Sequence, residues 1–122
     1  MADRKVNSTY SVNQKRIIDC DLTFAIHLIG GRWKLLILDK LLQKKMRYSE
    51  LKNQFSYITE RMLALQLRAL ENDGLISRTV YAEVPPRVEY QLTETGMELS
   101  PILTELSKWA KKIRKTKRMT WM

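Results

Sequence analysis

Few side chains in this sequence are equipped for covalent chemistry, and their spacing excludes more than it offers. One cysteine, Cys20, and one histidine, His27, stand seven residues apart, a separation that puts them near one face of a helix. A thiolate–imidazole pair also needs a group to orient the imidazole and donors for a developing oxyanion. Neither is evident, so the expectation is a protein that is not an enzyme. One cysteine and one histidine fall short of a zinc site, and the four glycines match no phosphate-cradling spacing. No metal and no cofactor are implied. What the chain does place at helical spacing is basic: Arg61 and Arg68 lie seven apart in "ITERMLALQLRALENDG". Guanidinium groups on one helix face suit a polyanion.

That helix has two distinct sides. Leu63, Leu67 and Leu70 fall at i, i+4 and i+7 and share a face, whereas Arg61, Leu65, Arg68 and Asn72 point the other way. Leu65 is therefore misplaced for a core and calls for a partner outside the domain, the bland alternative being contact with a neighbouring helix. Thr59 is a candidate N-cap and Gly74 a C-terminal stop. Upstream, "TFAIHLIGGRWKLLILDKLLQKK" reads as helix, a Gly30-Gly31 joint, then a helix with Trp33, Leu36, Ile37 and Leu41 on its apolar side. "RYSELKNQF" is a short helix with Ser49 as candidate cap. Downstream, "LISRTVYAEV" and "RVEYQL" alternate as two strands around Pro85-Pro86, which suit a loop tip and would spoil a ladder. Thr93 caps a last helical segment that Pro101 kinks or restarts near Ser100. In it Leu99, Ile102, Leu103, Leu106, Trp109, Ala110 and Ile113 form a wide apolar stripe.

At 122 residues the chain is long enough for one domain and one core. No apolar run approaches the roughly 18 residues that suggest a membrane span, and the N-terminus has no apolar signal core, so a cytoplasmic protein without a membrane partner is expected. The net charge of +9 is unevenly placed. Residues 32–52 hold seven basic against two acidic side chains, residues 71–105 two against seven, and residues 106–122 seven basic and none acidic. A polyanion meets a patterned surface with basic tails. Cations at the end of the last helix also complement its dipole, a sufficient structural reason for several of them.

Two short helices joined by a tight turn, the second exposing arginines and followed directly by a hairpin, read as a winged helix-turn-helix. The fold class expected is mainly α with a small β-hairpin wing (α+β), dimeric. The segments "LIGGRWKLLIL", "RYSELKNQF", "ITERMLALQLRALENDGLI" and "VPPRVEYQLTETG" resemble successive signatures of the HxlR-type transcriptional regulators, a winged-helix group related to MarR proteins. The likeness runs from about Cys20 to Trp109. It implies a homodimeric DNA-binding regulator, and it sets Cys20 where several members carry a cysteine that senses electrophiles or oxidants. Two positions depart from the family pattern: Asp21 stands where proline commonly follows that cysteine, and Leu65 where polar residues are usual.

The site expected on double-stranded DNA comprises Thr59, Arg61, Ala64, Leu65 and Arg68 on the second helix, with Ala64 and Leu65 suited to thymine methyl groups. Arg87 at the wing suits a narrow minor groove, or else an ion pair with Glu83 or Glu89. Lys45, Arg47, Ser49 and Lys52 suit phosphates, although Arg47 equally suits pairing of its short segment with the wing. Residues 1–20 read as an N-terminal arm, 21–99 as the DNA-binding domain, and 100–122 as a dimerisation helix with a basic tail. Leu103, Leu106, Trp109 and Ile113, with the stretch from Tyr10 to Ile18, are the expected dimer interface. Cys20 is either a redox sensor, with an electrophile or oxidant as the small-molecule partner, or a small hydrophobe at that interface. The helix dipole lowers its pKa and Asp19 and Asp21 raise it. The expected function is a repressor on a pseudo-palindromic operator. The competing class is a winged-helix module for protein or RNA without operator specificity.

Overall fold

The computed structural model describes residues 20–117; Tyr10 to Ile18 and most of the expected N-terminal arm lie outside them. Helix α1 (Asp21–Ile29) and helix α2 (Lys34–Gln43) meet at the glycine joint. Gly30 N–H donates to the Ile26 carbonyl and Gly31 adopts φ 93°, a left-handed conformation that admits glycine without strain. Strand β1 (Met46–Arg47), helix α3 (Tyr48–Gln54) and helix α4 (Glu60–Asn72) follow, then strands β2 (Ile76–Tyr81) and β3 (Arg87–Leu92), the short helix α5 (Glu94–Met97) and helix α6 (Ser100–Lys117).

One continuous core holds these elements. Ile37, Leu38 and Leu41 of α2, Leu51 and Phe55, and Leu63, Leu67 and Leu70 of α4 pack with Leu75, Ile76, Tyr90 and Leu92. Each fully buried aliphatic side chain contributes roughly 1.5–3 kcal/mol of transfer free energy. The apolar side of α2 differs from expectation at one place: Leu38 is buried and Leu36 exposed. The stripe is turned so that Leu38, beside Ile37, faces α4 and the sheet.

Local chemistry sets the ends of α4. Thr59 Oγ1 accepts from the Met62 amide at 3.0 Å. At the other end Gly74 takes φ 78°, Leu75 N–H donates to the Leu70 carbonyl and Gly74 N–H to that of Glu71, which satisfies the last carbonyls in a Schellman arrangement. Thr93 Oγ1 accepts from Gly96 N–H at 3.1 Å and donates to the Gly74 carbonyl at 2.6 Å, fastening the end of the hairpin to the end of α4. Gly96 is buried, and a methyl group there would run into the Leu75 carbonyl.

Ser49 is not the cap of α3. The helix starts one residue before it, with Arg47 at the N-cap, and the Arg47 amide donates to Glu50 Oε1 at 2.9 Å. That hydrogen bond, with help from the Lys44 and Arg47 charges, holds the Glu50 carboxyl below its ordinary pKa. Strand pairing explains the shift. Met46 sits opposite Tyr90 and Arg47 opposite Glu89, so the residues before α3 form a third strand and the order is β1-β3-β2, all antiparallel. The expected two-stranded wing is thus a three-stranded sheet. Pro101 stands at the second position of α6, where its missing N–H costs nothing, so the last segment restarts there and does not kink.

Candidate nucleic-acid interface

The core leucines of α4 fix which of its side chains face outward. With Leu63, Leu67 and Leu70 buried, Thr59, Arg61, Ala64, Leu65 and Arg68 are all exposed. Leu65 keeps 53% of its surface open, so it is not a core residue among the described residues. Arg61 and Arg68 form no salt bridge among the described residues. They are charged, unengaged and a helical repeat apart.

The remaining cations are held differently. Lys52 reaches across from α3 to ion-pair with Glu60 at the start of α4. Lys45 pairs with Glu89 at 3.7 Å. Arg87 lies between Glu83, at 3.1 Å, and Glu89, at 3.6 Å, with its guanidinium 4.1 Å above the Tyr81 ring. Its Nε is buried and makes no hydrogen bond. The intra-hairpin ion pairs weighed for Arg87 are therefore formed, and it is Val84, Pro85 and Pro86 that stand fully outward at the tip. Arg47 and Ser49 are exposed beside the wing and line, with Arg78, Arg87 and Tyr90, a cleft of about 540 Å³ between α3 and the hairpin. A second cleft of about 360 Å³, lined by Ala64, Arg68 and Arg78, separates α4 from the sheet. The two clefts share Arg78 and Tyr90, so α4, the start of α3 and the wing form one surface.

Sequence reasoning offered Glu83 and Glu89 as partners of Arg87 but missed Glu60, Glu71 and the pairing of Glu89 with Lys45. Glu60, Glu89 and Glu71 each hold a cation of the basic face, Glu71 taking Arg78 at 3.5 Å. The Arg78–Glu71, Lys52–Glu60 and Lys45–Glu89 pairs join residues 7, 8 and 44 positions apart, so no local pattern announces most of them. The signal for Glu60 was present: it stands four residues before Ala64 on the exposed side of α4.

Two further regions are placed. Cys20 is exposed at the N-cap of α1. A hydrogen bond from the Thr23 hydroxyl, with backbone donors at Thr23 and Leu22, holds its pKa below the usual thiol value, against desolvation and the Asp21 charge. The Thr23 hydroxyl donates to the Cys20 carbonyl at 3.0 Å. On α6, Leu103 belongs to the domain core and not to an outer face: it packs beside Leu99 and is 8% exposed. Leu103, expected at the dimer interface, is thus a core residue, because the start of α6 packs on the same hydrophobic cluster. Leu106 and Trp109 remain exposed and Ile113 is half-buried. Helix α1 buries none of its residues fully, and Leu22, Phe24 and Ile26 are open to solvent. Among the described residues there is no group of acidic, histidine or cysteine side chains that could hold a metal, and no helix is long and apolar enough to cross a membrane.

This arrangement has counterparts. Residues 28–118 match the model of the HxlR-like helix-turn-helix family. The chain is 41% identical over 114 residues to the uncharacterized HTH-type transcriptional regulator YdeP of Bacillus subtilis (strain 168), covering 93% of this chain and 88% of YdeP. An uncharacterized HTH-type transcriptional regulator of Methanothermobacter thermautotrophicus is 51% identical over 92 residues, covering 75% of this chain and 70% of that protein. Among solved structures, the redox regulator HypR in its reduced form superposes with a TM-score of 0.76 at 41% identity, over 80% of this chain and 96% of HypR. Its oxidised form gives 0.72 at 43%, over 76% and 96%. With the exposed arginine face of α4, the wing and the matched family model together, the chain belongs to the HxlR-like helix-turn-helix family and is a DNA-binding transcription regulator of the winged helix-turn-helix type.

Proposed function

We propose that the protein is a homodimeric repressor that binds a pseudo-palindromic operator, with α4 in the major groove and the wing beside it. The observation that carries the reading is the two-sided character of α4. Its leucines are consumed by the core while Arg61, Ala64, Leu65 and Arg68 stand free on one face. Arg61 and Arg68 suit guanine edges or phosphates, and Ala64 and Leu65 suit thymine methyl groups. Thr59, Arg47, Ser49, Lys45 and Lys52 border this face as phosphate contacts, and the wing with Arg87 flanks it. The exposed apolar side chains of α1 and of the outer half of α6, Trp109 above all, support a two-fold partner that sets two copies of α4 about one helical turn apart. Selection of bound fragments from the source genome, followed by competition with excess unrelated duplex, tests the operator. A complex titrated away by random duplex would mark a generic polyanion binder. Trp109→Glu with Ile113→Glu tests the dimer: the double variant sediments as a folded monomer and loses the operator, and a monomeric intact protein at micromolar concentration refutes the model.

Cys20 is the proposed sensor. Its exposure and lowered pKa favour the thiolate, the form that reacts, and the likeness to a redox regulator agrees with that role. With one cysteine per chain, oxidation joins Cys20 of two subunits, or Cys20 and a small thiol, in a disulfide as the oxidant takes two electrons and the thiol protons leave. Diamide or a quinone then releases the wild-type protein from DNA and leaves Cys20→Ser bound. Equal behaviour of the two proteins assigns Cys20 to packing.

A further inference from the structure

We propose that Glu60 reads a base: its carboxylate, kept tolerable at a DNA surface by Lys52, accepts a hydrogen bond from the exocyclic amino group of a cytosine in the major groove. The inference rests on the reading of α4 as the helix that enters DNA. Glu60 opens α4 directly after the Thr59 cap, and the first residues of a recognition helix are those that reach base edges. It precedes Ala64 by four residues and Arg68 by eight, which sets it on the same outward face. Its side chain is 64% exposed.

The ion pair decides what this acid can do. Glu60 Oε1 is occupied by Lys52 Nζ, while Oε2 has no partner among the described residues. An uncompensated carboxylate is repelled by phosphates on every side. With Lys52 bound, the pair is neutral as a whole and still offers a free acceptor. Cytosine presents a lone donor, N4, at the major-groove edge. Adenine sets an acceptor, N7, beside its N6 donor, and guanine and thymine show acceptors that a carboxylate avoids. The chemistry therefore selects cytosine. A purely structural role, an interhelical tie between α3 and α4 with an acid on the helix dipole, predicts no base preference.

Binding-site selection from a randomised duplex library, using the full chain, separates the two. Wild type enriches one cytosine per half-site opposite the start of α4. Glu60→Gln changes that position to adenine, since glutamine pairs with N6 and N7, and discrimination for cytosine falls on the order of tenfold. Freed from its acid, Lys52 also raises affinity for random duplex and steepens the log–log salt dependence by about 0.9 per subunit. Lys52→Gln weakens operator binding more than loss of one phosphate contact accounts for, and adding Glu60→Gln restores part of that loss. Identical selected sequences from wild type and Glu60→Gln overturn the inference while leaving the operator reading intact. A wild type that enriches no sequence overturns both.

Discussion

The two basic elements of the proposed DNA face, α4 and the wing, hold their arginines in opposite ways. Arg61 and Arg68 of α4 have no carboxylate partner among the described residues, and their helix is anchored from behind by Leu63, Leu67 and Leu70. Arg87 of the wing is held on three sides by Glu83, Glu89 and the Tyr81 ring. The difference follows from what each element has to pack against. A helix on a core is positioned by its apolar face, so its cations are left for a ligand. A hairpin that projects beyond the core has little to lean on, and its side chains hold each other. An arginine there acts first as a positioning residue, and in the proposed DNA complex its availability depends on phosphates displacing two carboxylates.

Substitutions at six positions break or sharpen this contrast. The largest effect falls on the anchor: Leu67→Ala costs about 2–5 kcal/mol of unfolding free energy in urea denaturation, because Leu67 is buried on every side. Leu65→Ala, half a turn away on the outer face, leaves that midpoint almost unchanged and lowers operator affinity. If both shift the midpoint equally, the two-sided reading of α4 is wrong.

Next is Arg61→Ala, which costs about 1–3 kcal/mol at the operator and relaxes base preference, with an unaltered melting curve. Equal losses on operator and random duplex would reassign Arg61 to the phosphates. Thr59→Ala removes the N-cap of α4 and costs about 1 kcal/mol of stability by calorimetry, whereas Thr59→Ser keeps the hydroxyl and the stability.

The smallest effect is at the wing. Arg87→Ala removes a partly screened pair of salt bridges and one ring contact, each worth at most about 1 kcal/mol. It shows most clearly as faster amide exchange in β2 and β3. Glu83→Gln loosens the same clamp from the other side. If it raises DNA affinity while Arg87→Ala lowers it, the arginine is released to DNA on binding. A decline in both leaves Arg87 as a hairpin brace.

A separate measurement addresses Cys20. Its lowered pKa makes alkylation by iodoacetamide faster near neutral pH than for an ordinary thiol, and Thr23→Val shifts the rate–pH curve upward. By linkage, a thiol whose folded pKa is depressed adds stability above its unfolded pKa and loses it as pH falls through the folded value. An unchanged curve in Thr23→Val would remove Thr23 from that role.

Periodicity and turn chemistry by themselves determined most of the architecture. The 3.6-residue repeat separated the leucine face of α4 from its arginine face, Thr59 and Thr93 announced their helices, Gly74 announced an end, and Pro85-Pro86 announced a hairpin tip. Each of these is settled by residues within a few positions of one another, so the information is local. Tertiary structure alone decided the rest. For Arg47 the sequence left phosphate contact and pairing with the wing both open, and Met46 and Arg47 became a strand because β3, more than 40 residues later, offered a free edge; that pairing moved the start of α3 off Ser49. Leu103 went to the core because the cluster closes around α6. The Arg87 pairs lie within the hairpin and were legible as an alternative in the sequence, whereas Lys52 and Lys45 are tied by carboxylates brought from other elements, Glu60 and Glu89. Charge interactions between elements act through space and carry no sequence period, so only the folded chain reveals them.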